Sequence, residues 1–190
     1  MANVDRPNGF RPVQNANGSP YNGMSQKYYS LSDNLSVGDV VIAVTTGEGK
    51  YRTIGRSTNG ATDIMVGVVT GFEVNPDNLA NNYHTASAVY GVFVCDDPNV
   101  VFEAQSDDAS LSKADLGLNV DYTVTAIDTD TGLSGMEVDG SSAVTLIATP
   151  WRIVGFVDKE DNDETLTNAR VLVKPNMHKY AADGGVSAGV

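Results

Sequence analysis

From Ser25 onward the chain shows period-two alternation and short apolar runs, each closed by Gly, Asn or Asp. A period of two suits a pleated strand that turns one face to a core, and closely spaced turn residues suit a barrel or sandwich. Strands are expected near Gln26–Leu31, Asp39–Thr45, Tyr51–Arg56, Met65–Val74, Ala88–Cys95, Val100–Ala104, Tyr122–Asp128, Met136–Val138, Thr145–Ala148, Trp151–Asp158 and Arg170–Lys174. Val, Ile, Tyr, Phe and Thr populate these runs, as a half-buried pleated surface requires. One short helix is expected at Leu111–Leu116, capped by Ser110 or Ser112 and stopped by a left-handed Gly117.

Composition agrees with this pattern. Nineteen Gly and seven Pro among 190 residues weaken helix interiors and supply turns. The expected class is all-β, an antiparallel barrel or sandwich with a jelly roll among the arrangements it admits. A chain of this length can bury one substantial core or two small ones, and a single domain with appendages is expected. The expected division is an extended N-terminal arm over residues 1–24, a body over 25–180 and a frayed tail over 181–190.

The arm carries Pro7, Pro12 and Pro20 with Asn and Gly between them. Proline fixes φ and restricts the residue before it, so the segment reads as polyproline or β conformation. Phe10 stands alone in it as an isolated aromatic. Two readings follow: a disordered tail, or an arm that docks on a neighbouring protein through Arg6, Phe10, Arg11, Val13 and Tyr21. On the docking reading, deletion of residues 1–24 leaves a folded body.

Motifs for catalysis are weak. Gly132-Leu133-Ser134-Gly135 misses the spacing of a nucleophile elbow, and Gly47-Glu48-Gly49-Lys50 lacks the length and following helix of a phosphate loop and reads as a hairpin turn. Cys95 lies inside an apolar run and reads as a small buried hydrophobe. With a single cysteine, no disulfide forms within one chain. Asp158, Asp161 and Asp163 belong to an acidic stretch that offers oxygen ligands but lacks a calcium-loop spacing, so it reads as a solvated hairpin tip. Trp151, at the start of an apolar strand, is a candidate core or interface anchor. No enzyme activity and no cofactor are expected, although spacing alone leaves open a hydrolase assembled from distant strands.

Twelve Lys and Arg against 24 Asp and Glu give a net charge of −12. That balance repels a phosphate backbone and favours basic or neutral protein patches, so nucleic acid is not an expected partner. The N-terminus has no apolar signal-like stretch, and nowhere do 18 apolar residues run together, so no membrane association is expected.

Several short motifs occur in a telling order: Met1-Ala2-Asn3 with Gly9-Phe10-Arg11-Pro12-Val13, Leu35-Ser36-Val37-Gly38-Asp39-Val40-Val41, and Met65-Val66-Gly67-Val68-Val69-Thr70-Gly71-Phe72. Asp115-Leu116-Gly117-Leu118-Asn119, Thr131-Gly132-Leu133-Ser134-Gly135, Ile153-Val154-Gly155-Phe156 and Val171-Leu172-Val173-Lys174-Pro175-Asn176-Met177-His178 continue it. In this order the chain resembles the head cement, or decoration, proteins of tailed bacteriophages. The resemblance implies a virion protein on the capsid exterior, made in a bacterial host. Its implied partners are the major capsid protein and further copies of itself, as a homodimer or homotrimer. A receptor- or carbohydrate-binding module of a phage fibre is the alternative expectation; against it stand the absence of heptads and repeats and the scarcity of aromatics.

Overall fold

The computed structural model describes residues 3–44, 52–86 and 89–181. Among the described residues twelve strands follow in chain order: β1 (Arg11–Asn15), β2 (Gln26–Tyr29), β3 (Val40–Ala43), β4 (Ile54–Arg56), β5 (Met65–Phe72), β6 (Gly91–Cys95), β7 (Val100–Gln105), β8 (Asn119–Val120), β9 (Tyr122–Thr123), β10 (Glu137–Val138), β11 (Trp151–Phe156) and β12 (Arg170–Pro175). Every strand pairing is antiparallel, and the all-β class holds. Among the described residues no helix is long and apolar enough to cross a membrane.

Two five-stranded sheets and a β9–β10 ribbon make up the body. The second sheet has the order β2-β6-β5-β3-β4, and its two ends meet: Tyr29 bridges Thr53, with the Tyr29 amide donating to the Arg52 carbonyl at 3.2 Å. This single parallel bridge closes the sheet into a ring at one point and covers part of its two edges. Tyr28, Val41, Ile54, Val66, Val69, Val92 and Val94, drawn from all five strands, form one buried cluster together with Leu35. The alternate residues Val40, Met65, Val68 and Cys95 point the other way, because successive side chains of a strand take opposite faces. They meet Phe102, Ala104, Trp151, Ile153, Val171 and Val173 from the first sheet, ordered β1-β7-β12-β11-β8. The molecule is therefore a small closed barrel with a second sheet laid against its wall. Each large side chain buried between them contributes about 1.5–3 kcal/mol by leaving water.

Three sequence expectations change in detail. The expected strand Thr145–Ala148 is not a strand: Leu146 and Ile147 are exposed, and their carbonyls accept from the side-chain amides of Asn119 and Asn176 at 2.8 and 2.9 Å. Asparagine side chains thus take the place of a partner strand. Tyr122–Asp128 shortens to Tyr122–Thr123, and the Thr125 carbonyl instead accepts from Arg56 at 2.6 Å. The helix at 111–116 is a single 3-10 turn, Lys113–Asp115, held by a capping box between Ser112 and Asp115; Gly117 has φ +87° as expected. The turn at Gly47-Glu48-Gly49-Lys50 and the tail from residue 182 lie outside the described residues, as do the first residues of the strands expected to start at Tyr51 and Ala88.

Candidate docking interface

Residues 3–24 are extended and free of helix, as the prolines dictate, but they are woven into the body. β1 is an edge strand, with Arg11 opposite Glu103 and Pro12 opposite Phe102. Pro12 is tolerated there because an edge strand has one side without a sheet partner. The reading of Phe10 as an arm aromatic available to a neighbour is corrected by its position. Its ring is fully buried, stacked on Trp151 at 4.4 Å with a 7° interplanar angle and edge-on to Tyr122 at 5.8 Å. An isolated aromatic on a chain that passes over an open core gains more by filling that core than by waiting in water. Trp151 is fully buried as well, with Phe102 edge-on at 5.3 Å, so it anchors the core.

The chain reaches this position by a backbone crossing. Gly9 and Gly38 have φ of +66° and +94°, a region that favours glycine. A Cβ on Gly9 would sit 2.5 Å from the Gly38 carbonyl oxygen and from Ser134 Cβ, while one on Gly38 would sit 2.6 Å from the Asn8 oxygen. The Phe10 amide donates to the Gly38 carbonyl at 3.0 Å and seals the crossing. Beneath it lies Asp39, a fully buried carboxylate. It accepts from the Ser36 amide at 2.8 Å, Arg56 Nε at 2.9 Å, Arg56 Nη2 at 3.0 Å and Ser134 Oγ at 2.6 Å. A bidentate guanidinium with two further donors leaves no lone pair of that charge wasted. Val37 also bridges Leu133. Three motifs far apart in sequence, Gly9-Phe10, Gly38-Asp39 and Gly132-Leu133-Ser134, therefore converge on one structural node. Spacing along the chain carries no sign of this meeting.

The remaining arm residues lie nearer the surface. Arg6 and Arg11 are exposed, and no ion pair to either occurs among the described residues. Val13 is half-buried in β1. Tyr21 packs partly against the core, and its hydroxyl donates to the Met24 carbonyl at 2.6 Å; burial pushes its pKa up to about 12.

The outward face of the first sheet is the most distinctive surface. Its strands contribute four cations, Arg11, Arg152, Arg170 and Lys174, against one carboxylate, Glu103. Lys174 sits directly opposite Arg152 in the register, and like charges so placed repel. Arg152 Nε donates to Asn119 Oδ1 at 3.0 Å. Arg170 pairs with Glu103 at 3.8 Å and with Asp161 at the rim. Val154 (46% exposed) and the half-buried Leu172 form an apolar centre between these charges. Beside this face, the N-terminal segment, β7 and β12 enclose a groove of about 420 Å³ that Arg6, Arg11 and Gln105 help line.

Where the face ends, past Gln105, the sign of charge reverses. Asp5, Asp107, Asp108 and Glu137 lie together, with Asp121 and Asp139 interacting nearby. Among the described residues none of these six carboxylates has an ion pair. Glu137 Oε1 is buried without a hydrogen-bond partner. Burial, followed by the fields of Asp5, Asp107 and Asp108, raises the Glu137 pKa to about 7.

The acidic tip does not gather into a metal centre. Asp158 is exposed, Asp161 is engaged by Arg170, and Asp163 accepts from the Thr165 amide and hydroxyl at 3.0 and 2.7 Å. Among the described residues no group of three or more His, Cys, Asp or Glu is placed to hold a metal ion. Cys95 is buried, and that burial raises its thiol to about 11, unsuited to nucleophilic work at neutral pH. His84 and His178 are buried too, with burial lowering both pKa values, His178 to about 4. No family model matches the chain, and neither a curated protein nor a solved structure matches it.

Proposed function

We propose that the chain is a structural virion protein that docks on the outside of a tailed-phage head and stabilises contacts between major capsid subunits. The observation that carries this reading is that three of the seven motif segments behind the resemblance converge on one node. Gly9, Gly38, Asp39 and Ser134 fix how the leading segment crosses the body, so these three segments hold residues that the fold requires. The charge pattern supports a docking role as well. A molecule of net charge −12 that carries four cations on the strands of one sheet presents a directional surface to protein neighbours.

The physical task is modest in kind. A ligand that binds the expanded lattice and not its precursor stabilises that lattice by RT ln(1 + [L]/Kd) per site. A rigid barrel-and-sheet body loses little conformational entropy on docking, which preserves affinity. The fibre-module reading draws less support, because Trp151, Phe10 and Phe102 are all spent on the core. Cosedimentation of the purified protein with heads of the encoding phage tests the proposal. Saturable binding to expanded heads, with little to unexpanded ones, is expected; no binding to either form refutes it.

A further inference from the structure

We infer that Asn22-Gly23, in the connection between β1 and β2, is a site of spontaneous self-modification, at which the Gly23 amide nitrogen attacks the Asn22 side chain and converts it to aspartyl and isoaspartyl residues. The inference stands apart from the head-docking proposal and is decided in purified protein.

The Asn-Gly pair occurs four times, at Asn8, Asn17, Asn22 and Asn59. The chemistry open to all four is the same, because glycine has no side chain to shield its nitrogen or restrict its backbone. That nitrogen gives up its proton to hydroxide and bonds to the asparagine Cγ, while the side-chain nitrogen takes a proton from water and leaves as ammonia. Water then opens the five-membered imide. Breaking its bond from nitrogen to Cγ gives aspartate, and breaking the bond from nitrogen to the main-chain carbonyl carbon gives isoaspartate, which reroutes the backbone through the side chain. No oxidant or cofactor enters the balance.

The structure separates the four sites. The asparagine side chain must swing onto the next nitrogen while the backbone turns with it, so a residue held in place reacts only through the fraction of molecules that opens locally. Asn8-Gly9 is locked in the crossing, where a Cβ on Gly9 would lie 2.5 Å from the Gly38 carbonyl oxygen. Asn59-Gly60 is locked as well. A Cβ on Gly60 would lie 1.7 Å from the Tyr122 carbonyl oxygen, the Asn59 amide donates to Asp63 Oδ2 at 3.0 Å, and the Asn59 carbonyl accepts from the Asp63 amide at 3.2 Å. Asn17 is exposed but tied at both reacting ends. Its Oδ1 accepts from the Ser19 amide and hydroxyl at 3.0 and 2.7 Å, and the Gly18 amide donates to the Asn15 carbonyl at 2.9 Å.

Asn22 and Gly23 are both exposed. One long bond holds the side chain, from the Met24 amide to Asn22 Oδ1 at 3.3 Å, and among the described residues the Gly23 amide has no acceptor. Nothing lies within 4 Å of the place where a Cβ on Gly23 would sit, so the backbone has room to turn. The pair is flanked by two anchors of the leading segment: the Tyr21 hydroxyl donates to the Met24 carbonyl at 2.6 Å, and the Ser25 and Thr70 hydroxyls share a bond at 2.8 Å. Each event therefore places a new negative charge, and in the isoaspartyl product an extra backbone carbon, at the joint between the leading segment and the barrel.

Peptide mapping of the full chain after incubation at mildly alkaline pH tests the inference, with fragmentation localising each amide-to-acid mass change. In the folded protein Asn22 is expected to react at least about tenfold faster than Asn8 or Asn59, with Asn17 between them, and in concentrated urea the four rates should converge to within about threefold. Ser19→Ala removes the hydroxyl bond to Asn17 Oδ1 on an exposed turn; it should speed the reaction at Asn17 and leave that at Asn22 unchanged. Uniform rates in the folded chain, an Asn22 that stays intact there while reacting in urea, a ranking that persists in urea, or an Asn17 rate indifferent to Ser19→Ala would each overturn the inference.

Discussion

Replacing Phe10 by alanine removes a fully buried ring that stacks on Trp151 at 4.4 Å and meets Tyr122 edge-on. Truncation of a buried phenylalanine costs about 3–5 kcal/mol, the transfer term plus the cavity it leaves. Loss of a stacked pair accounts for about 0.5–1.5 kcal/mol of that cost. For a domain of this size each kcal/mol moves the melting temperature by about 2–4 °C, so a fall of roughly 6–20 °C is expected. Trp151 is the single tryptophan, so its emission reports from the site itself. Urea titration followed by that emission should show a lower midpoint for Phe10→Ala with an unchanged slope. Phe10→Leu, which keeps most of the volume, should cost less than about 1.5 kcal/mol. Deleting residues 1–24 should destabilise the body at least as much as Phe10→Ala, contrary to the expectation drawn from the sequence. A change under about 1 kcal/mol in both Phe10→Ala and the deletion would refute the placement of the leading segment in the core.

Further predictions concern the crossing, the buried charge and the acidic cluster. Gly38→Ala should cost clearly more than Gly18→Ala: both positions have positive φ, but the new methyl meets the Asn8 oxygen at 2.6 Å in the first and nothing within 4 Å in the second. Equal melting temperatures for the two variants would contradict a tight crossing. Asp39→Ala leaves the Arg56 guanidinium without its bidentate partner, and a loss of about 3–5 kcal/mol in urea midpoint analysis is expected. Glu137 holds its proton in the folded chain up to about pH 7, whereas its ordinary value is 4.5. Between those values the folded state binds more protons than the unfolded state, so this group's contribution to stability falls as pH rises through that window and is flat above it. Discounted for its partial exposure, the effect is about 1 kcal/mol. Glu137→Gln should therefore raise stability at pH 8 relative to wild type and leave it little changed at pH 4.5; a uniform shift at both pH values would contradict this.

The strands that carry the core were legible because their apolar residues either alternate or run on unbroken between turn residues, the latter in strands buried on both faces. Met65–Phe72, Gly91–Cys95, Val100–Gln105, Trp151–Phe156 and Arg170–Pro175 all lie where these patterns place them. β1 was not legible, since Arg-Pro-Val-Gln-Asn has neither alternation nor β-rich composition, and its pairing depends on an edge that only the folded sheet supplies. Phe10 misled for the same reason: local sequence says that it is surrounded by polar residues, while its true neighbours Trp151 and Tyr122 lie more than a hundred positions away. The apolar run at 145–148 misled in the opposite sense, because hydrophobic composition without an available partner strand does not make a ladder. The charge asymmetry of the first sheet was invisible in a net charge of −12, which averages a basic face and an acidic cluster into one number.

On the head-docking proposal the chain belongs to a phage particle, and electron cryomicroscopy of that particle tests the proposal most directly. Density on the outer surface of the head that fits the barrel and its companion sheet, seated across neighbouring major capsid subunits, is the predicted result. Mature particles that lack the chain, or hold it only in the tail or inside the shell, would contradict it.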